Sequence, residues 1–296
     1  MSDLNTLAQL VAIGVWTGGV YALLGVSWAV VFNTTRTFHI AHGVAYAVGG
    51  YVTCLLTSRT GVPLLLALPA SMLAGSALGA VFEFGLYRPL RARGSTPMVT
   101  FVASLGALTT GTAVILACVG SDPVVATTSF ESVVKVGPVR VTVLEIGIAV
   151  LSYACVAATL VAWRRGWFGR AMRATTTNSE MADLVGIPVT RIYVVAMVLG
   201  NGLGALAGAL AGLTQGANAD MAFNGALLAA VAVLIGGIGS LVGAAIGGAL
   251  LALIMNVGIW QVSSEWQLSI AFGVLMVFMV ARPRGLLGER LASAEL

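Results

Sequence analysis

Six stretches of the chain, near residues 7–32, 62–86, 97–119, 142–163, 192–214 and 264–281, run almost without charge for the roughly 20 residues that a helix needs to cross the hydrocarbon core of a bilayer. No water reaches backbone N–H and C=O groups there, so only helices or closed barrels can span. Runs of this length read as helices, and the expected fold class is an all-α polytopic membrane protein. Composition agrees: 58% of the 296 residues are hydrophobic and 9% charged, against roughly 25% charged in an average soluble domain. Many of the 37 glycines are spread through apolar segments, as in helices packed closely in lipid. A net charge of +4 confined to short loops builds no basic face, which excludes a nucleic-acid partner. Cys54, Cys118 and Cys155 sit inside apolar runs without metal-ligand spacing, which argues for core or lipid-facing thiols and against a disulfide framework. The N-terminal residues lack the positive region of a secretory signal, so the first span is read as retained.

Two further apolar regions, 38–58 and 225–259, decide the topology. Basic residues in short loops mark the cytoplasm, and they cluster at Arg88, Arg91 and Arg93, at Arg164, Arg165, Arg170 and Arg173, and at Arg282, Arg284 and Arg290. The loop 120–141, with Asp122, Glu131, Lys135 and Arg140, then lies outside. An even number of crossings must separate the second and third clusters, so 225–259 must enter and return. Its centre, Gly236-Gly237-Ile238-Gly239-Ser240, is the natural break, because glycine weakens a helix and permits positive φ. The region 38–58 is short for a span and follows the polar interruption Asn33-Thr34-Thr35-Arg36. The expectation is one domain over 1–296 with about eight membrane segments, two apolar regions broken or re-entrant, an outer N-terminus and a cytoplasmic C-terminus. Broken helices persist in membranes only where freed backbone groups are buried in protein or line a cavity. His39, His42, Gly43, Gly236, Gly237, Gly239 and Ser240 are therefore the candidate translocation path. The ladder Gly200, Gly204, Gly208, Gly212 reads instead as a packing stripe.

The cytoplasmic loop 164–191 carries a short helix near 178–185. Thr177-Asn178-Ser179-Glu180 has the spacing of a capping box. Gly186 suits the C-terminal cap, Ile187 the contact after it and Pro188 the stop. Two turns are unstable alone, so the helix must dock through Met181, Ala182, Leu184 and Val185.

In this loop, Gly169-Arg170-Ala171-Met172-Arg173-Ala174 followed by Glu180, Ala182 and Gly186-Ile187 resembles the permease subunits of bacterial ABC importers of the branched-chain amino-acid family. Further matches run along the chain: Tyr21-Ala22-Leu23, Ala41-His42-Gly43, Glu83 with Tyr87-Arg88-Pro89-Leu90-Arg91, the Gly236–Ser240 segment, and Arg282-Pro283 before Gly285-Leu286-Leu287-Gly288. The resemblance implies that Arg170, Arg173, Glu180, Ala182, Gly186 and Ile187 form the ATPase-coupling element. It also implies a second homologous permease, cytoplasmic ATP-binding subunits, an extracytoplasmic solute-binding protein and residence in the bacterial cytoplasmic membrane. Three positions depart from the family's usual residues: His39 stands where asparagine is common, Val44 where an acid is, and Leu228 where lysine often is. These departures remove polar groups from both broken regions, so the cargo stays open between branched-chain or other hydrophobic amino acids and urea or short amides.

No catalytic constellation, cofactor site or metal site is expected. His39 and His42 lack a completing ligand, and hydrogen bonding at the first break is their expected role. Glu83 is expected to pair loosely with Arg88. No Gly-x-x-x-x-Gly-Lys-Ser/Thr loop occurs, so ATP hydrolysis falls to a partner. Trp16, Trp163, Trp167, Trp260 and Trp266 read as interfacial anchors. A self-contained secondary transporter would require an intramembrane charge for ion coupling, whereas the charges here lie mostly at span ends.

Overall fold

A computed structural model describes residues 2–127 and 132–288. Glu131 and Arg290 lie outside the described residues. Among those described, seven helices are long and apolar enough to cross a membrane: Leu4–Thr35, Leu64–Ala92, Pro97–Val119, Val143–Arg165, Val189–Gln215, Leu241–Gly258 and Ser264–Ala281. Asp220–Gly236 is a shorter apolar helix. All six spans read from the sequence are present, and 225–259 is two helices, α10 (Asp220–Gly236) and α11 (Leu241–Gly258), parted at 237–240. The chain divides into two compact units.

One unit comprises Val30–Glu131 and Ala157–Leu227. It holds the end of α1 (Ser2–Thr35), α2 (His42–Arg59), α3 (Leu64–Phe82), a π-helical turn (Glu83–Tyr87), α4 (Arg88–Ala92) and α5 (Pro97–Val119). The end of α6 (Val143–Arg165), then α7 (Trp167–Thr177), α8 (Ser179–Leu184) and α9 (Val189–Gln215) complete it with the start of α10. Helix α9 is its axis, packed against α2 and α3. A Cβ at Gly208 would fall on the Tyr46 carbonyl, one at Gly49 on the Ala205 carbonyl, and one at Gly79 on the Met197 carbonyl. The helices thus touch backbone to backbone, as small residues allow in lipid, and Gly204, Gly208 and Gly212 are the packing stripe the sequence suggests. Helix α7 is an addition to the sequence reading.

The other unit comprises the chain up to Ala29, Ser132–Val156 and the chain from Leu228. Here α1 lies against α11: a Cβ at Gly14 would meet Leu253, and one at Gly25 the Ala244 carbonyl. Asn256 Nδ2 donates to Thr17 Oγ1 at 3.1 Å. Strands β1 (Val133–Val136) and β2 (Val139–Thr142) form an antiparallel hairpin in the loop expected outside. Gln9 closes on Arg140 in both directions, donating to its carbonyl and accepting from its amide, each at 2.8 Å. A capping box starts α6, with Glu145 N donating to Thr142 Oγ1 at 3.2 Å and Thr142 N to Glu145 Oε2 at 2.8 Å. Trp16, expected at a span end, is buried instead, because α1 already begins at Ser2 and places it near mid-helix.

Candidate functional site

The first break begins where side chains compete with the backbone. Thr34 Oγ1 and Thr35 Oγ1 bond back to Val30 O (2.8 Å) and Val31 O (2.9 Å), a habit of threonine that weakens a helix end. Arg36 then takes φ +54, the left-handed region that ends α1. Residues 36–39 carry no regular structure, and α2 starts at His42.

A buried polar chain crosses that break. The backbone N–H of Ala41 donates to Ser104 Oγ at 3.0 Å. The Ser104 and Tyr87 hydroxyls stand 2.9 Å apart, Tyr87 Oη is 2.6 Å from His39 Nδ1, and His39 Nε2 is 3.1 Å from Asn201 Oδ1. Asn201 Nδ2 donates to the Met197 carbonyl at 2.9 Å. That last bond fixes the amide with its oxygen toward His39, so Nε2 must carry a hydrogen. For a neutral imidazole, Nδ1 then accepts from Tyr87, Tyr87 accepts from Ser104, and each proton is used once. His42 lies beside it, its ring centroid 5.7 Å from that of His39, and packs against the bare backbone of Gly204. His39, His42, Tyr87, Ser104 and Asn201 are all buried. His39 lies in the first break and is hydrogen-bonded there, while His42 opens α2 beside it. Gly43 serves close packing, since a Cβ there would fall on the Ala222 carbonyl. Asn201 escaped the sequence reading. Its signal was a lone amide in the otherwise apolar stretch 192–214.

The expected Glu83–Arg88 pair is not formed. Glu83, fully buried, pairs with Arg91, while Arg88 lies over the Phe84 ring at 5.8 Å. The cause is the π turn over Glu83–Tyr87. Its wider i→i+5 bonding takes more residues per turn, which brings position 91 back to the face of Glu83. Arg91 also sits over the Tyr193 ring at 4.7 Å. Arg88, Arg91, Glu180, Asp183 and Tyr193 help line a cleft of about 490 Å³ reached by α4, α8 and the start of α9.

Helix α8 ends as the sequence indicates but begins differently. Gly186 N donates to Asp183 O at 2.9 Å and Ile187 N to Ala182 O at 2.9 Å, the paired bonds of a Schellman cap with Gly186 at φ +84. Ile187 packs on the Ala171, Met172, Ile192 and Ala196 cluster. At the other end the cap is Asn178, whose Oδ1 accepts from Met181 N at 3.0 Å. The expected Thr177–Glu180 box does not form, because Thr177 belongs to the last turn of α7 and its hydroxyl donates back to Arg173 O at 3.0 Å. Ala182 is buried, whereas Met181, Leu184 and Val185 are 60%, 81% and 74% exposed, leaving α8 with a bare apolar face. Arg170 and Arg173 reach back to α6: Arg170 Nη1 donates to Arg165 O at 2.9 Å, and Arg173 Nη1 bonds Trp163 O. They cap the carbonyl end of α6, where cations are favoured. The far end of α7 reaches the first break, with Thr176 Oγ1 donating to Asn33 O at 2.5 Å and Arg36 Nη2 to Thr176 O at 3.4 Å.

In the second break, Gly237 and Gly239 take φ +104 and +97. Ser240 caps α11, its Oγ accepting from Gly243 N at 3.0 Å, so that hydroxyl serves the backbone. Gly236 and Gly243 approach so closely that a Cβ on either would meet the other's carbonyl.

Residues 10–280 match the family described as branched-chain amino acid transport system, permease component. The chain is 28% identical to the high-affinity branched-chain amino acid transport system permease protein BraD of Pseudomonas aeruginosa, over 98% of each chain. It is likewise 28% identical to LivH of Escherichia coli K12, covering 93% of this chain and 94% of that one. Among solved structures, a chain of PsaBC from Streptococcus pneumoniae in complex with Fab aligns over 95% of this chain and 92% of its own, with TM-score 0.48 and 12% identity.

Proposed function

The chain belongs to the branched-chain amino acid transport system permease family, and we propose that it is the membrane subunit of an ABC importer carrying branched-chain or other hydrophobic amino acids inward across a bacterial cytoplasmic membrane. The observation that carries this reading is the family match over residues 10–280. On it, the chain is a transporter component and no enzyme. Its partners are a second homologous permease, ATP-binding subunits at the cytoplasmic face and a solute-binding protein outside. The N-terminus lies outside and the C-terminus in the cytoplasm, which places the arginine-rich loop 164–191 on the ATPase side.

The exposed face of Met181, Leu184 and Val185 on a helix capped at both ends is then the surface offered to the ATPase. Glu180, Ala182, Gly186 and Ile187 shape and seat that helix. Arg170 and Arg173 act through α6, which they cap. The breaks at His39–Gly43 and Gly236–Ser240 are the proposed solute route. Reconstitution with the ATP-binding subunits, partner permease and binding protein of the same system tests the assignment. ATP-dependent uptake of labelled leucine, competed by isoleucine and valine and untouched by urea, is expected. Uptake of urea or acetamide with no leucine uptake would refute the cargo.

A further inference from the structure

The segment after α12 (Gln267–Ala281) returns to the second break. Arg282 N bonds Phe278 O at 2.7 Å and Gly285 N closes a turn on Arg282 O at 2.8 Å. The next two amides leave the segment: Leu286 N donates to Ile235 O and Leu287 N to Gly236 O, each at 2.9 Å. Ile235 and Gly236 are the last residues of α10, whose final carbonyls have no partner within their own helix. Gly237 N has already closed the last turn on Val233 O at 2.8 Å, so these two carbonyls meet the incoming segment instead of another helical turn. Sterics make the fit close. A Cβ at Gly237 would strike the backbone of Gly288 and Arg284, and one at Gly285, itself at φ +72, would strike the backbone of Gly237. Only glycines permit both the approach and the conformation.

We propose that Arg282–Gly288 is a positioning strap: its two amide donors terminate α10 and hold the Gly236–Ser240 break in the geometry that transport requires. The proposal rests on reading that break as part of the solute route. The recognition is between backbones, so the N–H groups at 286 and 287 and the glycines matter more than the leucine side chains, of which Leu287 is 47% exposed. Within a bilayer a broken helix survives only where freed carbonyls are buried against donors, and here the strap supplies those donors. A proline at either position deletes one donor, whereas an alanine keeps it. The two substitutions therefore separate the backbone role from ordinary side-chain packing.

The test uses the full chain in the assembled transporter, with Cys54, Cys118 and Cys155 replaced by alanine and Ile238→Cys as a reporter within the break. The readouts are the rate of maleimide labelling and ATP-driven leucine uptake. Leu286→Ala and Leu287→Ala are expected to stay near the parent in both. Leu286→Pro and Leu287→Pro are expected to label about tenfold faster and transport about tenfold more slowly, the scale of one unsatisfied buried carbonyl, with all subunits retained. Parental labelling in the proline variants overturns the strap. Faster labelling with parental uptake leaves the strap standing and removes the break from the solute route. If a proline variant fails to assemble, Gly285→Ala decides: it keeps both donors but sets a methyl group on Gly237, and parental labelling in it also overturns the proposal.

Discussion

Replacing Tyr87 with phenylalanine removes a single oxygen from the middle of the buried chain that runs from Ala41 to Met197. The ring stays, and so does its packing against Val31 and Met197, so the change isolates the polar link. Two neighbours lose a partner: His39 Nδ1 at 2.6 Å and Ser104 Oγ at 2.9 Å. A lone interhelical hydrogen bond in a membrane protein is worth about 0.6 kcal/mol on average and roughly 1.7 at most. A buried group left without any partner costs about 1–3 kcal/mol. The Ser104 hydroxyl can rotate toward another acceptor, so its share is small. The imidazole nitrogen, held by the Asn201 contact on the far side of the ring, cannot turn away. The expected loss is therefore about 2 kcal/mol, above what one isolated bond would give. Unfolding of the purified protein in mixed micelles, titrated with dodecyl sulfate and followed by labelling of the buried Cys54 thiol, measures it. A double-mutant cycle with Asn201→Ala should show a coupling well above measurement error, since both groups hold the same ring. A loss of 0.6 kcal/mol or less with additive cycles would show that Ser104, Tyr87, His39 and Asn201 are neighbours and not a network.

Gly208→Ala sets a methyl group on the Tyr46 carbonyl and should destabilise by about 1–3 kcal/mol in the same unfolding assay, as overpacking does. Asn178→Ala removes the cap that forms and should lower the stability of α8 by about 1 kcal/mol. Thr177→Ala should do far less, and proteolysis of the 164–191 loop compares the two. Arg91→Met strands the buried Glu83 carboxylate and should cost about 3–5 kcal/mol as a broken buried pair. Arg88→Met, which loses a ring contact and a longer-range attraction to Glu83, should stay within about 1 kcal/mol, and parity between the two arginines in chemical unfolding would contradict the observed pairing.

Much of the fold was legible because lipid imposes a length rule that charges enforce: six spans and the glycine break at 236–240 follow from runs and interruptions alone. What escaped depended on phase and on competition between neighbours. Glu83 and Arg88 are set apart for an α-helix, and nothing local in Glu-Phe-Gly-Leu-Tyr announces the π turn that hands the pair to Arg91. Thr177 and Asn178 are both good caps, and α7, amphipathic and continuous to Thr177, decides between them by consuming the threonine. The capping-box pattern was sound in itself, for Thr142 and Glu145 form one. His39 and His42 were identifiable from their position at a break. Their partners Tyr87, Ser104 and Asn201 come from three other elements, 48 residues away or more from His39 along the chain for Tyr87 and 162 for Asn201, and only tertiary structure brings them together.

The arrangement within the unit that holds α7 to α9 bears on how a push at α8 would travel. Interfaces in which glycine meets carbonyl, as α9 makes with α2 and α3, have no side chains to re-sort and resist sliding, because any shift creates overlap of backbone atoms. Motion must therefore be absorbed where backbone is irregular, and in this unit the polar break at 36–41 is such a place. Helix α8 is tied to it by two separate connections. One runs through α7 to Thr176, which bonds Asn33 O and accepts from Arg36. The other runs from Ser179 of α8 through its side-chain hydrogen bond with Tyr193 to Arg91 over the Tyr193 ring, then to Glu83 and the π turn that ends in Tyr87, the partner of His39. If both carry the push, Thr176→Val and Tyr87→Phe together should reduce solute-stimulated ATP hydrolysis by more than the product of their separate effects, since either link alone can transmit. Strictly multiplicative effects would assign the connection to one of them.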